Sequence, residues 1–311
     1  MGRRLLNLYA INSLERILET SGADIRAIAA RPGTYYRPFL KRRKPRPFER
    51  AIPIGKIRRI DNPTGLLKCL QGRIYQRLLA PLDYPEHVFG GVRGRSALDN
   101  ARTHQGTGLL VTMDIRDCFP SITPFHIYDV WRNLLNCSAE ISSLLTKLTT
   151  FERHLPQGAP TSTALANLVI YNVDEPIRVA CAAYGVRYST LVDDLALSGE
   201  GARELINLAV GVLHSAGFSM THRKLRVMGG RSRQTLNGLV VNRTPNVPRE
   251  RIKTARSGIH KLLIGEVANP AQRQYIQRLK GLISYISSVN PNVGTRLLQS
   301  LESSLEQINS Q

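Results

Sequence analysis

The sequence predicts an α+β fold built around a small antiparallel sheet, and three observations predict it. Apolar residues return at three- and four-residue spacing near both ends of the chain, which is helical periodicity. Short apolar runs in the middle, at residues 109–114 and 188–198, carry carboxylates at an end or a turn and read as strands. No internal repeat or low-complexity tract replaces this mixture with an array.

At 311 residues the chain can bury one large core, or two or three subdomains sharing a cleft. Leu5, Leu8, Ile11, Leu14, Ile17 and Leu18 share a helical face before Gly22, giving a helical segment over 1–34. A basic stretch follows, with Lys41, Arg42, Arg43, Lys44 and Arg46 crowded around Pro45 and Pro47. It reads as a solvated linker or as a phosphate-contacting arm. Pro53 and Gly55 lead into a short alternating strand at 56–60, and Asp61 to Pro63 punctuates a turn. Leu66, Leu70, Ile74 and Leu78 then recur every fourth residue until Pro81, with Lys68, Arg73 and Arg77 on other faces.

After a loop holding Gly90, Gly91 and Gly94, a buried-looking strand at 109–113 ends at Asp114. Residues 125–150 read as helices, and 164–169 as an apolar helix segment after Pro156 and Pro160. Residues 188–198 suit a β-hairpin with Asp193 and Asp194 at its tip. A helix at 204–216 and a strand at 236–241 follow. The last sixty residues are helical, entered through Arg249, Arg251, Lys253, Arg256 and Lys261.

Forty-three Lys and Arg against 23 Asp and Glu give a formal charge of +20 and a pI near 10.4. Such an excess repels itself unless a polyanion neutralises it, so nucleic acid is the expected partner. The competing readings are a merely soluble basic protein, or one bound to anionic membranes, and no amphipathic anchor supports the latter. No run reaches the roughly 18 apolar residues of a membrane span, and the start lacks a signal peptide's apolar block, so the expected location is cytoplasmic with no membrane partner. Cys69, Cys118, Cys137 and Cys181 lie too far apart for a zinc pair and read as small core residues in a reducing compartment.

One carboxylate closing a strand and two more on a hairpin turn can gather oxygen ligands around Mg²⁺, which keeps waters and substrate phosphates in its octahedron. Two such ions about 3.5 to 4 Å apart can activate a hydroxyl and stabilise a leaving pyrophosphate, the chemistry of nucleotide addition. Asp-Asp pairs are also common in turns, so Asp193 and Asp194 alone do not settle the matter.

Their order along the chain adds to the case. VTMDIRDCFPSIT (111–123), LPQGAPTSTALANL (155–168), YSTLVDDLALS (188–198), GFSMTHRKLRV (217–227) and LNGLVVN (236–242) stand in sequence. This series resembles the palm motifs of reverse transcriptases. KIRRIDNPTGLLKCLQ (56–71) and FGGVRGRS (89–96) look like the family's finger motifs, so the resemblance covers roughly residues 35 to 245. Asn100, Ala101 and His104 reproduce the Asn-Ala-x-x-His signature of bacterial retron enzymes, and the short thumb-like tail without maturase or endonuclease additions agrees.

The resemblance implies a right-hand polymerase: fingers over 35–108, a palm over 109–245 with finger-contributing helices at 125–155, and a helical thumb over 246–311. It implies Asp114, Asp193 and Asp194 as catalytic ligands of two Mg²⁺ ions, with the Ile115 carbonyl assisting. Arg58 would contact the triphosphate, as suits a guanidinium. Phe119 matches the aromatic under the incoming sugar that excludes a 2′-hydroxyl, and is otherwise an ordinary core phenylalanine. Gln157 and Gly158 match the loop lining nucleotide and template, and Lys224 the lysine near the leaving group. Lys41, Arg42, Arg43 and Lys44, with Arg249, Arg251, Lys253, Arg256 and Lys261, would flank the duplex and contact phosphates. His104 reads equally as a satisfied structural histidine tied to Asn100 or as a direct participant.

Two positions depart from the family pattern. Leu191 stands where a tyrosine usually supports the primer end, and Leu236, Asn237, Gly238 replace the retron Val-Thr-Gly. The implied function is synthesis of DNA on a cognate structured noncoding RNA, giving a linked RNA–DNA product from deoxynucleoside triphosphates. A role in anti-phage defence with a separately encoded effector is implied as well. The rivals are an RNA-binding scaffold of the same fold, and a group II intron-like or abortive-infection reverse transcriptase.

Overall fold

The computed structural model describes residues 5–42, 48, 57–267 and 269–309. Helices α1 (Ile11–Leu18) and α2 (Gly22–Ala30) open it. The first helix begins later than its apolar spacing predicts. Leu5 and Leu8 precede it outside regular structure, where Asn7 takes φ 50°. Gly22 starts α2 rather than ending α1: Glu19 in the left-handed region closes α1, and Ser21 caps α2 by accepting from the Asp24 N–H.

Strands β1 (Tyr36–Arg42) and β2 (Ile57–Pro63) pair antiparallel, with Lys41 opposite Arg58. Lys41 and Arg42 therefore belong to a strand and not to a linker. Arg43, Lys44 and Arg46 lie outside the described residues. Asp61 to Pro63 extend the strand where a turn was expected, because they pair with Pro38 to Tyr36 of β1, and the Asp61 N–H finds an acceptor in the Gln157 carbonyl at 2.9 Å. Helix α3 (Gly65–Ile74) continues into a wider turn over Tyr75–Leu79, closed by Ala80 N–H on the Tyr75 carbonyl. Its buried face is Leu67, Leu70, Ile74 and Leu78, while Leu66 is 62% exposed, so the apolar stripe starts one residue later than predicted.

Helix α4 (Ala97–Thr103), capped by Ser96 and Asp99, leads to β3 (Leu109–Asp114). There follow α5 (Cys118–Ser121), α6 (Pro124–Asp129), α7 (Ala139–Thr149), α8 (Ser162–Val173) and α9 (Glu175–Ala183). The hairpin β4 (Arg187–Leu191) and β5 (Asp194–Ser198) is succeeded by α10 (Ile206–Ser215) and β6 (Arg226–Gly229). The four strands form one antiparallel sheet in the order β4-β5-β3-β6.

The predicted strand at 236–241 is instead a tight hairpin of β7 (Thr235–Leu236) and β8 (Leu239–Val240). Asn237 and Gly238 between them both take positive φ, at 53° and 81°, the pair favoured in a two-residue turn that matches strand twist. Helices α11 (Arg249–Leu263), α12 (Asn269–Val289) and α13 (Pro291–Asn309) finish the chain, packed on one another.

Alternation along the strands divides the interior in two. Val111 and Met113 of β3 with Leu195 and Leu197 of β5 join a large core shared with the N-terminal helices and α6 to α10. Leu110, Ala196 and Met228 face the other way, into a second core with the β7–β8 hairpin and helices α11 to α13. Cys118, Cys137 and Cys181 are buried as expected, whereas Cys69 is exposed on α3.

Candidate active site

The carboxylates meet where the central strands end. Asp114, last in β3, lies directly opposite Asp194, first in β5, so the two side chains leave the same face of the sheet. The Ile115 N–H donates to the Asp193 carbonyl at 2.9 Å, which fixes the hairpin turn beside the end of β3. Only Val192 and Asp193 separate the strands, and Val192 takes φ 60°. A β-branched residue with positive φ is strained, and the surrounding packing holds it there.

Gly90 supplies part of that packing. Phe89 N–H donates to the Thr190 carbonyl and Thr190 N–H to the His87 carbonyl, both at 2.8 Å, laying the glycine-rich loop along β4. A Cβ on Gly90 would stand 2.4 Å from Val192 Cγ2 and 2.5 Å from the Val192 backbone nitrogen. Asn167 of α8 donates its side-chain N–H to the Gly90 carbonyl and pins the loop from beneath.

The segment after α10 reaches the same place. Arg116 N–H donates to the Ser219 carbonyl at 2.7 Å and Thr221 N–H to the Asp114 carbonyl at 2.8 Å. That pairing delivers the Thr221 hydroxyl to Asp114 Oδ1 at 2.9 Å and the Lys224 ammonium to Asp114 Oδ2. Among the described residues no three His, Cys, Asp or Glu side chains stand together as a ready metal-binding group, and Asp114 has both oxygens turned to these partners.

The donor set nevertheless fits a cation. Burial, with the charge of Asp114 adding to it, raises the Asp193 carboxyl above the usual range, against the opposing charges of Lys224 and Arg58. The Asp194 carboxyl is pushed up to about 6, first by the protein packed around it and then by Asp193 and Asp114, although its side chain stays open to solvent. Crowded carboxylates of this kind are relieved by positive charge, and on Asp114 the Lys224 ammonium already provides it.

Arg58 projects from β2, and its charge is felt at Asp193. Gly158 takes φ 120°, and a Cβ there would stand 2.8 Å from Ile60 Cγ2, so the 157–158 loop lies against the strand that carries Arg58. Phe119, in the short helix after Asp114, is half-buried and packs against the large core. The structure thus gathers Asp114, Asp193, Asp194 and Lys224 and brings the Gln157–Gly158 loop to Arg58's strand. The C-terminal basic residues are more scattered in their engagements: Arg251 lies over the Tyr285 ring at 5.0 Å and Lys261 pairs with Glu266 at 3.0 Å, while Arg249, Lys253 and Arg256 are exposed.

Asn100 and His104 sit behind the hairpin, fully buried. His104 Nδ1 and Nε2 lie 2.7 Å from the hydroxyls of Ser198 and Ser189, and Ser189 donates on to Asn100 Oδ1. That chain of donors leaves His104 neutral with its proton on Nε2, and burial lowers its pKa to about 3. The signature histidine is therefore tied to Asn100 through Ser189 and braces β4 against β5. We expect His104→Ala to cost about 2–4 kcal/mol in chemical denaturation, since it leaves a cavity, strands the buried Ser198 hydroxyl and leaves Ser189 with Asn100 alone. Unchanged stability with weakened RNA binding would instead make it a contact residue.

Thr221, Gly90, Asn167 and Val192 were not among the residues singled out from sequence. Only Gly90 carried a signal, its place in a glycine-rich loop, and nothing local announced that the loop ends on the turn of a distant hairpin.

Comparison with known proteins identifies the family. Residues 42–238 match the family model described as reverse transcriptase (RNA-dependent DNA polymerase). The retron Ec86 reverse transcriptase of Escherichia coli is 30% identical over 254 residues, covering 80% of this chain and 77% of that protein. The retron Mx65 reverse transcriptase of Myxococcus xanthus is 29% identical over 263 residues, covering 78% of this chain but 61% of its own length. The retron Ec83 reverse transcriptase of Escherichia coli is 25% identical over 290 residues, covering 87% and 88%.

Proposed function

Because the chain belongs to the retron reverse transcriptases, RNA-directed DNA polymerases of right-hand fold, we propose that it copies a cognate structured noncoding RNA by two-metal-ion nucleotidyl transfer. The product is a linked RNA–DNA molecule, and the setting is anti-phage defence with a separately encoded effector. The retron resemblance carries that setting. The observation that carries the chemistry is the placing of Asp114 opposite Asp194, with Asp193 bonded beside them through its backbone.

Asp114, Asp193 and Asp194 would hold the ions, helped by the Ile115 carbonyl. When bound, Mg²⁺ supplies activation of the primer hydroxyl and neutralises charge on the leaving pyrophosphate. The chain's own residues do the remaining work. Arg58, on a strand facing the carboxylates, offers a guanidinium fork to the triphosphate. Lys224 brings a proton-bearing ammonium to the edge of the same pocket, where it can stabilise or protonate the departing phosphate. Gln157 and Gly158 line the nucleotide and template, and Phe119 stands under the sugar to refuse a 2′-hydroxyl. Arg249, Lys253 and Arg256 contact backbone phosphates, as do Lys41 and Arg42 from the β1 edge.

The test uses the protein purified from cells with the nucleic acid it retains, supplied with labelled deoxynucleotides and Mg²⁺. We expect label to enter DNA attached to RNA, in a product sensitive to both ribonuclease and deoxyribonuclease. Bound RNA with no incorporation would instead make the chain a scaffold.

A further inference from the structure

We propose that Asp61 and His154 are positioning residues which lock the strand bearing Arg58 to the loop bearing Gln157 and Gly158, and so set affinity for the incoming nucleotide. This rests on the nucleotide-binding reading of Arg58 and Gln157 given above. Asp61 lies three residues beyond Arg58 on β2 and is 2% exposed. Its backbone N–H donates to the Gln157 carbonyl at 2.9 Å, and its carboxylate Oδ2 accepts from His154 Nε2 at 3.0 Å. Arg59 Nε stands 2.8 Å from Oδ1 as an ion pair, although no N–H is aimed squarely at that oxygen. The buried carboxylate is thus tied by an ion pair to Arg59 on its own strand and by a hydrogen bond to His154 on a separate segment, and the two segments run on to Arg58 and to Gln157.

The segment carrying His154 needs to be held. Phe151 and His154 exchange both backbone hydrogen bonds at 2.9 Å around Glu152 and Arg153, whose φ values are 44° and 65°. Such a turn favours Asn and Gly at its two central positions, so a Glu-Arg pair persists there only under outside restraint. The restraint is visible: Arg59 pairs with Glu152 at 2.7 Å, and the His154 ring reaches Asp61 on one side and the Glu152 carbonyl at 3.1 Å on the other. Phe151 stacks on Tyr36 of β1 at 4.2 Å between ring centroids, closing the same joint from the far strand. Gln157 follows His154 by three residues, so the orientation of the turn becomes the orientation of the loop. None of these side chains touches the three carboxylates in the described contacts. The effect falls on where the nucleotide sits.

The test is steady-state incorporation of thymidine triphosphate on a poly(rA) template primed with oligo(dT), using the full chain. We expect Asp61→Asn and His154→Ala each to raise KM for the nucleotide about tenfold with kcat changed less than about threefold, as misplacement of a binding group does. His154→Gln, which keeps an N–H donor for Asp61, is expected to return KM to within about twofold of the parent protein. Arg58→Ala is measured beside them. A raised KM in Arg58→Ala with unchanged KM in Asp61→Asn and His154→Ala overturns this inference alone. An unchanged KM in Arg58→Ala overturns the nucleotide-binding reading and the inference with it. Equal loss in His154→Gln and His154→Ala, with a falling thermal midpoint in both, reduces the joint to ordinary packing and also overturns it.

Discussion

Asp193→Asn is expected to lower deoxynucleotide incorporation on the order of a thousandfold while leaving RNA binding intact. The substitution keeps the shape of the side chain and removes its charge at the point where Asp114 and Asp194 converge. Folding should not suffer. Burial and the neighbouring Asp114 raise the Asp193 carboxyl, so the native state resists its ionisation. A carboxyl raised on folding stabilises least once the pH passes above its folded value, where the charged form must be carried inside. Asparagine is free of that cost at neutral pH, and the thermal midpoint of the metal-free protein should hold or rise. Primer extension and thermal unfolding on the same preparation check both halves. Undiminished synthesis would remove Asp193 from the site, and lost synthesis with a collapsed midpoint would point to misfolding.

Gly90→Ala should be nearly as damaging to activity without changing a charged group. The added methyl meets the backbone nitrogen of Val192 and, at 3.0 Å, the carbonyl carbon of Leu191, as well as the Val192 side chain. A side chain can rotate away, but backbone held in a two-residue turn cannot. Either the loop lifts from β4, losing the paired bonds at His87, Phe89 and Thr190, or the turn shifts and takes Asp193 with it. We expect stability to fall by about 1–3 kcal/mol through overpacking. Incorporation should fall on the order of a hundredfold, since small displacements of a catalytic group cost that much. Val192→Ala in the same protein removes Cγ2 and leaves the backbone clash, so it should restore little. Recovery of full activity in that double variant would mean the side chain alone sets the spacing.

The carboxylates we propose for the chemistry were legible because their signals are local. Asp114 ends an apolar run, and Asp193 and Asp194 interrupt another, so both strands and the turn could be read directly. The pairing of β3 with β5 could not, since nothing within either run names its partner, and the resemblance to known motifs supplied what periodicity lacked. Asn237-Gly238 is the opposite case: a strong turn signal stood in plain view inside a run that looked like one strand. Leu66 shows the limit of counting in fours: four residues overrun one 3.6-residue turn, so the buried stripe of α3 runs back from Ile74 and Leu70 to Leu67 and leaves Leu66 exposed. The role of His104 was open for a physical reason. A histidine between two serines is chemically silent, and only the third dimension shows that both serines are its own.

The division of β3 between two interiors bears on how far the chain can be shortened. Neighbouring residues of that one strand belong to different interiors, Val111 to the large core and Leu110 to the one completed by the carboxy-terminal helices. A fragment ending at Asn246 would keep Asp114, Asp193 and Asp194 and bare Leu110, Ala196 and Met228; strand alternation puts Leu110 and Ala196 on the same face of the sheet as Asp114 and Asp194. Such a piece would wet an apolar patch beside the carboxylates themselves, and the terminal helices that cover it are part of the foundation on which those carboxylates stand.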